Sequence, residues 1–303
     1  MSSSPSSRSA TAATDATASS TGAAASVPAP AAAPSSAPAP GAPCADCTAD
    51  SAGGLTFDVA ASGAPDAALV LRRTGGSRSD DVRLPLTPVG QGRLRAVLPS
   101  TVDLPEGRWE TRVHGAGAHL TVLPGLRDLR ALVDRTPDPR TEAIAVRIPY
   151  ATSDGLLAVR SWRRAPHAEA GDIVFADDGT AITVKGRLYG TELGPGAAVE
   201  ARLRGGEGRV HREPAEGQEH DFVCTLPVRP LAEGRDGAGR VWDLWLVAAT
   251  DTAPIRVSRL LDDIAEKQRV FTYPALPVGD DPKTVAFPYY TLDNDLAVQI
   301  STP

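Results

Sequence analysis

Residues 149–159 read PYATSDGLLAV, and residues 288–298 read PYYTLDNDLAV. Seven of the eleven positions are identical: Pro149/Pro288, Tyr150/Tyr289, Thr152/Thr291, Asp154/Asp293, Leu157/Leu296, Ala158/Ala297 and Val159/Val298. A phrase that returns constrains the fold strongly, because a unit used twice must bury its apolar face by the same rules both times. Further matches fall in the same order along the chain. Leu98-Pro99 aligns with Leu226-Pro227, Leu104 with Leu231, Trp109 with Trp242, and LRDL (126–129) with LLDD (260–263). The offsets are 128, 127, 133, 134 and finally 139, rising almost steadily as small loop insertions would make them. Collinear matches of this kind predict an internal duplication.

What is duplicated is a set of short strands. LTFDVA (55–60), AALVLRR (67–73), VRLPL (82–86), RLRAVLP (93–99), RWETRV (108–113) and AHLTVL (118–123) are short, largely alternating apolar-polar runs. Gly, Pro and Asp punctuate them at the spacing of an all-β domain. A leucine-bearing stretch, LPGLRDLRALVDRTPDP, predicts one or two helical turns stopped by Pro137 and Pro139. EAIAVRIPY then leads into the first copy of the phrase, and the strand pattern restarts. In the second half Asp178-Gly179 marks the clearest hairpin turn. In each phrase Tyr precedes a turn of Asp, Asn or Gly residues, which predicts a tyrosine corner bonded back to the backbone. The expectation is two tandem Ig-like β-sandwich domains, residues 52–160 and 161–303, after a disordered Ala/Ser/Pro-rich tail over residues 1–51.

The tail prediction rests on composition. Residues 1–43 are almost wholly Ala, Ser, Thr, Pro and Gly, with few bulky apolar groups to offset the entropy of ordering. The start lacks the basic and apolar regions of a secretory leader, and no window approaches a membrane span. A soluble, cytoplasmic protein is expected. A net charge of −6 without a basic cluster argues against nucleic acid as a partner. Three cysteines are too few for a disulfide framework.

Catalytic signatures are sparse. DND (293–295) has the Asp-x-Asp spacing that lets two carboxylates reach one hard cation. The first copy carries Asp154-Gly155-Leu156 there instead, so a turn is the plainer reading. CADC (44–47) has redox spacing but no second ligand pair and no βαβ setting, and reads as two exposed, oxidisable thiols. Cys224, inside an apolar strand, reads as core. HGAGAH (114–119) reads as a hairpin turn. No G-x-S-x-G, H-E-x-x-H or P-loop occurs. No cofactor and no metal are expected. Aromatic residues are the binding candidates. Trp242 aligns with Trp109 and belongs to the core, whereas Trp245 and Tyr290 align with Arg112 and Ala151 and are the candidates for exposed contacts with a ligand or partner, packing between the two domains being the competing reading.

LPEGRW, RVWDLWL, RLLDD and PYYTLDNDLAV together resemble a group of actinobacterial proteins labelled "transferase". They are also similar to the β-rich C-terminal accessory regions of wall-polymer glycosyltransferases. The resemblance covers about residues 55–301. It implies a module whose catalytic α/β domain lies elsewhere and whose β domains bind and position polymers, so it transfers no catalytic residue. The function expected is a non-catalytic accessory or binding module, with a glycosyltransferase or cell-wall glycan as partner. The competing reading is a transferase, glycosyl or polyol-phosphate, with an unrecognised site.

Overall fold

Strand alternation is the organising signal of the chain. In RLRAVL (93–98) Leu94, Ala96 and Leu98 are buried while Arg93, Arg95 and Val97 face outward. In DFVCTLP (221–227) Phe222, Cys224 and Leu226 point inward by the same period of two. The structure, a computed structural model, describes residues 41–60, 66–115, 118–133, 135–206, 208–233, 239–278 and 281–301.

The first half contains β1 (Cys44–Ala49), β2 (Leu55–Ala60), β3 (Ala68–Arg73), β4 (Val82–Pro85), β5 (Thr87–Gly90), β6 (Arg93–Leu98), β7 (Gly107–Gly115), β8 (Ala118–Thr121), β9 (Leu123–Asp128), β10 (Ile144–Ala151) and β11 (Leu157–Arg164). Two sheets result, ordered β5-β6-β2-β1-β9 and β10-β11-β7-β3-β4, with β8 on β7. Their inner faces share one core that includes Phe57, Leu71, Leu98, Trp109 and Val159.

The second half contains β12 (His167–Phe175), β13 (Ala181–Tyr189), β14 (Ala198–Leu203), β15 (Val210–Pro214), β16 (Glu216–Gln218), β17 (Asp221–Pro227), β18 (Arg240–Val247), β19 (Ile255–Ser258), β20 (Leu276–Val278), β21 (Asp281–Tyr290) and β22 (Leu296–Ser301). One path runs β16-β17-β13-β12-β19 and continues into β18-β22-β21-β20, with β14 and β15 flanking β18. The two runs join because Trp245 and Leu246 of β18 pair with Arg256 and Ile255 of β19. A second core gathers Leu188, Phe222, Trp242, Leu244, Tyr290 and Val298.

The fold is all-β, and the two halves follow the same path. β5-β6-β2-β1-β9 matches β16-β17-β13-β12-β19, and β10-β11-β7-β3-β4 matches β21-β22-β18-β14-β15. In each half the first strand pairs in parallel with a late one, β1 with β9 and β12 with β19. Register agrees as well. Val159 lies opposite Trp109, and Val298 lies opposite Trp242. Both indoles are buried and donate Nε1–H to a backbone carbonyl, of Pro105 at 3.0 Å and of Leu231 at 3.1 Å. The repeated phrases form like hairpins: Tyr150 faces Ala158 and Tyr289 faces Ala297. Their turns close on threonine, with Thr152 N–H on the Leu156 carbonyl and Thr291 N–H on that of Asp295.

Several expectations change. Order begins before residue 52: β1 is a middle strand between β2 and β9, with Ala45, Cys47 and Ala49 buried. Its inward residues are so small that the alternation carries little apolar signal. The tail prediction for residues 1–40 lies outside the described residues. Of the one or two helical turns expected within LPGLRDLRALVDRTPDP only a 3-10 turn (Arg130–Leu132) forms, because β9 and its parallel pairing with β1 claim the backbone through Asp128. The boundary at 160/161 falls inside β11. No tyrosine corner forms: among the described residues, neither Tyr150 nor Tyr289 bonds its hydroxyl to backbone.

Candidate functional site

The two halves meet where the second phrase turns. Asp293, Asn294 and Asp295 each take a different partner. Asp293 pairs through its carboxylate with Arg160 and accepts the Trp162 indole N–H on its carbonyl at 3.1 Å. Asn294, fully buried at φ +59°, accepts the Lys267 N–H at 3.1 Å. Its amide donates to the carbonyls of Ile264 and Ala265 at 3.3 and 3.2 Å. Asp295 accepts from Ser258 Oγ at 2.6 Å and meets Arg164 and Arg256, each at 3.4 Å. The two carboxylates thus tie the β21–β22 turn to β11 and to β19, and Asn294 between them ties it to the segment after β19. Among the described residues no cluster of three His, Cys, Asp or Glu side chains is placed to hold a metal.

The segment being fastened is the RLLDD run. Leu260, Leu261 and Ala265 belong to the first half's core, where they cover the outer side of β10 and β11. Glu169 on β12 accepts the backbone N–H groups of Leu260 and Leu261, and also touches His167 at 2.7 Å. Lys267, with no exposed surface, donates to Asp262 at 2.6 Å and to the Ile264 carbonyl at 2.9 Å. Burial lowers the Lys267 pKa and the Asp262 carboxylate opposes that shift. Such a pair is costly to break, because either partner alone would be a buried, uncompensated charge.

A cleft of 570 Å³ opens beside this seam. Its walls include Trp245 from β18, Ile255 and Arg256 from β19, Arg163 from β11, and Pro166 at the link between halves. Trp245 is half-buried on the outer face of its sheet, opposite in parity to buried Trp242, Leu244 and Leu246. Guanidinium groups of Arg202 and Arg256 lie 5.1 and 5.2 Å from its ring centre, one from each neighbouring strand. Arg256 is held by Asp243 at 2.7 Å and the Leu244 carbonyl at 2.9 Å, whereas Arg163 remains 56% exposed beside Asp103. The cleft therefore offers the Trp245 indole, proline and alanine surface, three arginines (Arg163, Arg164 and Arg256) and the Asp295 carboxylate. That set suits a hydroxylated or weakly anionic chain better than a compact, multiply charged ligand.

Tyr290 does not share the cleft. It is fully buried in the second core, with Phe271 and Tyr273 at ring distances of 5.6 and 6.3 Å. Burial drives its hydroxyl pKa far upward. The expectation of exposure fails because residues 289 and 290 have opposite parity on β21, and the second one points inward. The outward ring is Tyr289, next to Phe287 at 6.5 Å. The CADC reading changes too. Cys47 is buried and its thiol is pushed up to about 12, mainly by desolvation, while Cys44 is half-buried. His114 and His119 face each other across the β7-β8 hairpin at 4.1 Å.

Among the described residues no helix is long and apolar enough to cross a membrane. Comparison with known proteins gives little. No family model matches the chain, and no curated protein matches it. Solved structures that align include S. aureus TarS 217-571, at 11% identity and a TM-score of 0.27, over 70% of this chain and 61% of that one. A second S. aureus TarS structure aligns at 13% identity and a TM-score of 0.26, over 61% of this chain and 36% of that one. This chain is similar to part of those proteins, and alignments this loose transfer no residue and no activity.

Proposed function

We propose that the chain is a non-catalytic accessory module, associated with glycan or cell-wall polymer biosynthesis, that holds a polymer chain in the Trp245 cleft. The module consists of two Ig-like sandwiches related by duplication, over residues 44–164 and 167–301. The observation that carries this reading is the engagement of the acidic turn. Both carboxylates of the Asp-x-Asp spacing are committed to arginines and a serine of the protein itself. A metal-bound diphosphate would have to displace those partners. The cleft, by contrast, sets an indole and proline surface beside arginines and one carboxylate, a mixture that supports stacking on a sugar face with hydrogen bonds to its hydroxyls.

Binding of the full chain to purified wall glycan tests the reading, by sedimentation with the insoluble polymer. Trp245→Ala should weaken retention about tenfold, the equivalent of one 1.4 kcal/mol contact, while the melting temperature stays within a degree or two. Metal-dependent hydrolysis or transfer from nucleotide-sugar or CDP-alcohol donors, lost in Asp293→Ala, would show a transferase and end the accessory reading.

A further inference from the structure

The contact between the two halves uses one face of one sheet, and the chain carries that face twice. In the first half the outer side of β10 and β11 presents Val146, Ile148, Tyr150, Ala158, Arg160 and Trp162, all buried. Leu260, Leu261 and Ala265 of the segment after β19 pack there, and the turn at Asp293 closes over Arg160 and Trp162. By strand register the same positions in the second half are Val285, Phe287, Tyr289, Ala297, Gln299 and Ser301. Of these only Ala297 is buried; Val285, Phe287, Tyr289, Gln299 and Ser301 keep exposed surface. An aromatic pair on a half-open sheet face is the counterpart of a surface that its twin buries completely.

The complementary part is duplicated as well. The segment after β9 holds the place of the segment after β19: each follows the parallel partner of its half's first strand, contains one 3-10 turn, and leads to the hairpin strand. Where the second copy buries Leu260, the aligned Leu126 near the end of β9 is 79% exposed, and Val133 in the segment beyond is 49% exposed. Neither side chain belongs to either core, and Val133 lines an open pocket shared with Val270.

We infer that the chain associates head to tail with a second copy of itself, segment 126–133 of one copy covering the Phe287 and Tyr289 face of the next. The contact between halves is the template, and it continues from molecule to molecule as a heterologous interface. Two substitutions make the external contact weaker than the internal one. Gln299 stands where Arg160 pairs with Asp293, and Ser301 stands where Trp162 donates its indole N–H. The association is therefore reversible and depends on concentration. Docking leaves the Trp245 cleft open, because Arg112, at the same register in the covered first half, remains 31% exposed.

Sedimentation equilibrium of the full chain tests this. The weight-average mass should rise above the monomer with concentration. Leu126→Asp spoils the segment, Tyr289→Asp spoils the face, and each variant alone should stay monomeric. Mixed one to one, they retain one sound segment and one sound face, so they should form a dimer and nothing larger. Should Tyr289→Asp lose its folded circular dichroism, Gln299→Asp replaces it on the same face. A wild-type chain that stays monomeric at millimolar concentration overturns the proposal. So does a mixture that stays monomeric, or an association that survives either substitution alone.

Discussion

Replacing Asn294 with alanine removes three hydrogen bonds and forces a side chain with no local compensation into left-handed backbone. The bonds are the one accepted from Lys267 N–H and the two donated to the Ile264 and Ala265 carbonyls. At a net value of about 1 kcal/mol each they amount to about 3 kcal/mol. The φ of +59° adds about 1 kcal/mol for alanine, a cost that asparagine and glycine largely escape. Asn294→Ala should therefore destabilise by about 4 kcal/mol, and Asn294→Gly by about 1 kcal/mol less. Urea unfolding followed by tryptophan fluorescence measures both. Trp162 reports on the seam, since its indole N–H is held by the Asp293 carbonyl. Hydrogen exchange should show residues 260–270 opening first. A loss below about 1 kcal/mol for Asn294→Ala would mean that the turn does not fasten the segment. Equal losses for Ala and Gly would remove the backbone part of the argument.

Tyr290→Ala should cost about 3–5 kcal/mol as a large cavity in a packed core, whereas Trp245→Ala should shift the urea midpoint little. Tyr290→Phe should cost no more than about 1 kcal/mol, the net value of one neutral hydrogen bond to the neighbouring Tyr273; a loss well above that would refute this. In the native protein only Cys44 should react with a thiol reagent at pH 8, with Cys47 and Cys224 labelling after unfolding; fast labelling of all three would contradict their burial. Cys47 and Cys224 are each raised from 9.0 to about 12. The unfolded thiols lose protons first, so stability should fall as pH climbs above about 9, and a flat urea midpoint from pH 8 to 10.5 would refute this. A chain starting at Gly53 lacks β1 and should melt well below one starting at Gly41; equal melting would mean the middle strand is expendable.

The fold was readable wherever side chains are large enough to make alternation audible. RLRAVL, DFVCTLP and the Asp178-Gly179 hairpin lie where the pattern puts them, with Gly179 N–H closing on the Ala176 carbonyl. β1 escaped because alanine and cysteine serve as its inward residues, and a middle strand needs small ones where sheets pack closely. LRDLRALV carries a helix-like leucine spacing, yet pairing with β1 decides its conformation, a long-range effect invisible to any local window. The acidic turn was recognised as a turn, but its purpose was not legible. Its partners Arg160 and Trp162 lie 133 and 131 residues earlier, and no spacing rule connects them. Tyr290 points inward by parity along its own strand, which its alignment with Ala151 does not reveal. Trp245, by the same parity, lies on the outer face.

The distance in sequence between Trp162 and Asp293 also sets a schedule for biosynthesis. β10 and β11 are made early, but what covers their outer side arrives only with residues 260–295. At about 5–20 residues per second the ribosome needs about 7–26 s to bridge those 131 residues. Through that interval Ile148, Tyr150 and Trp162 stand uncovered on a sheet that is otherwise able to form, a greasy surface on a nascent chain. The first half thus carries an uncovered apolar face until residues 260–295 have been made. Any slowing of translation across the second half should lengthen that exposure and raise the aggregated fraction without altering a single residue.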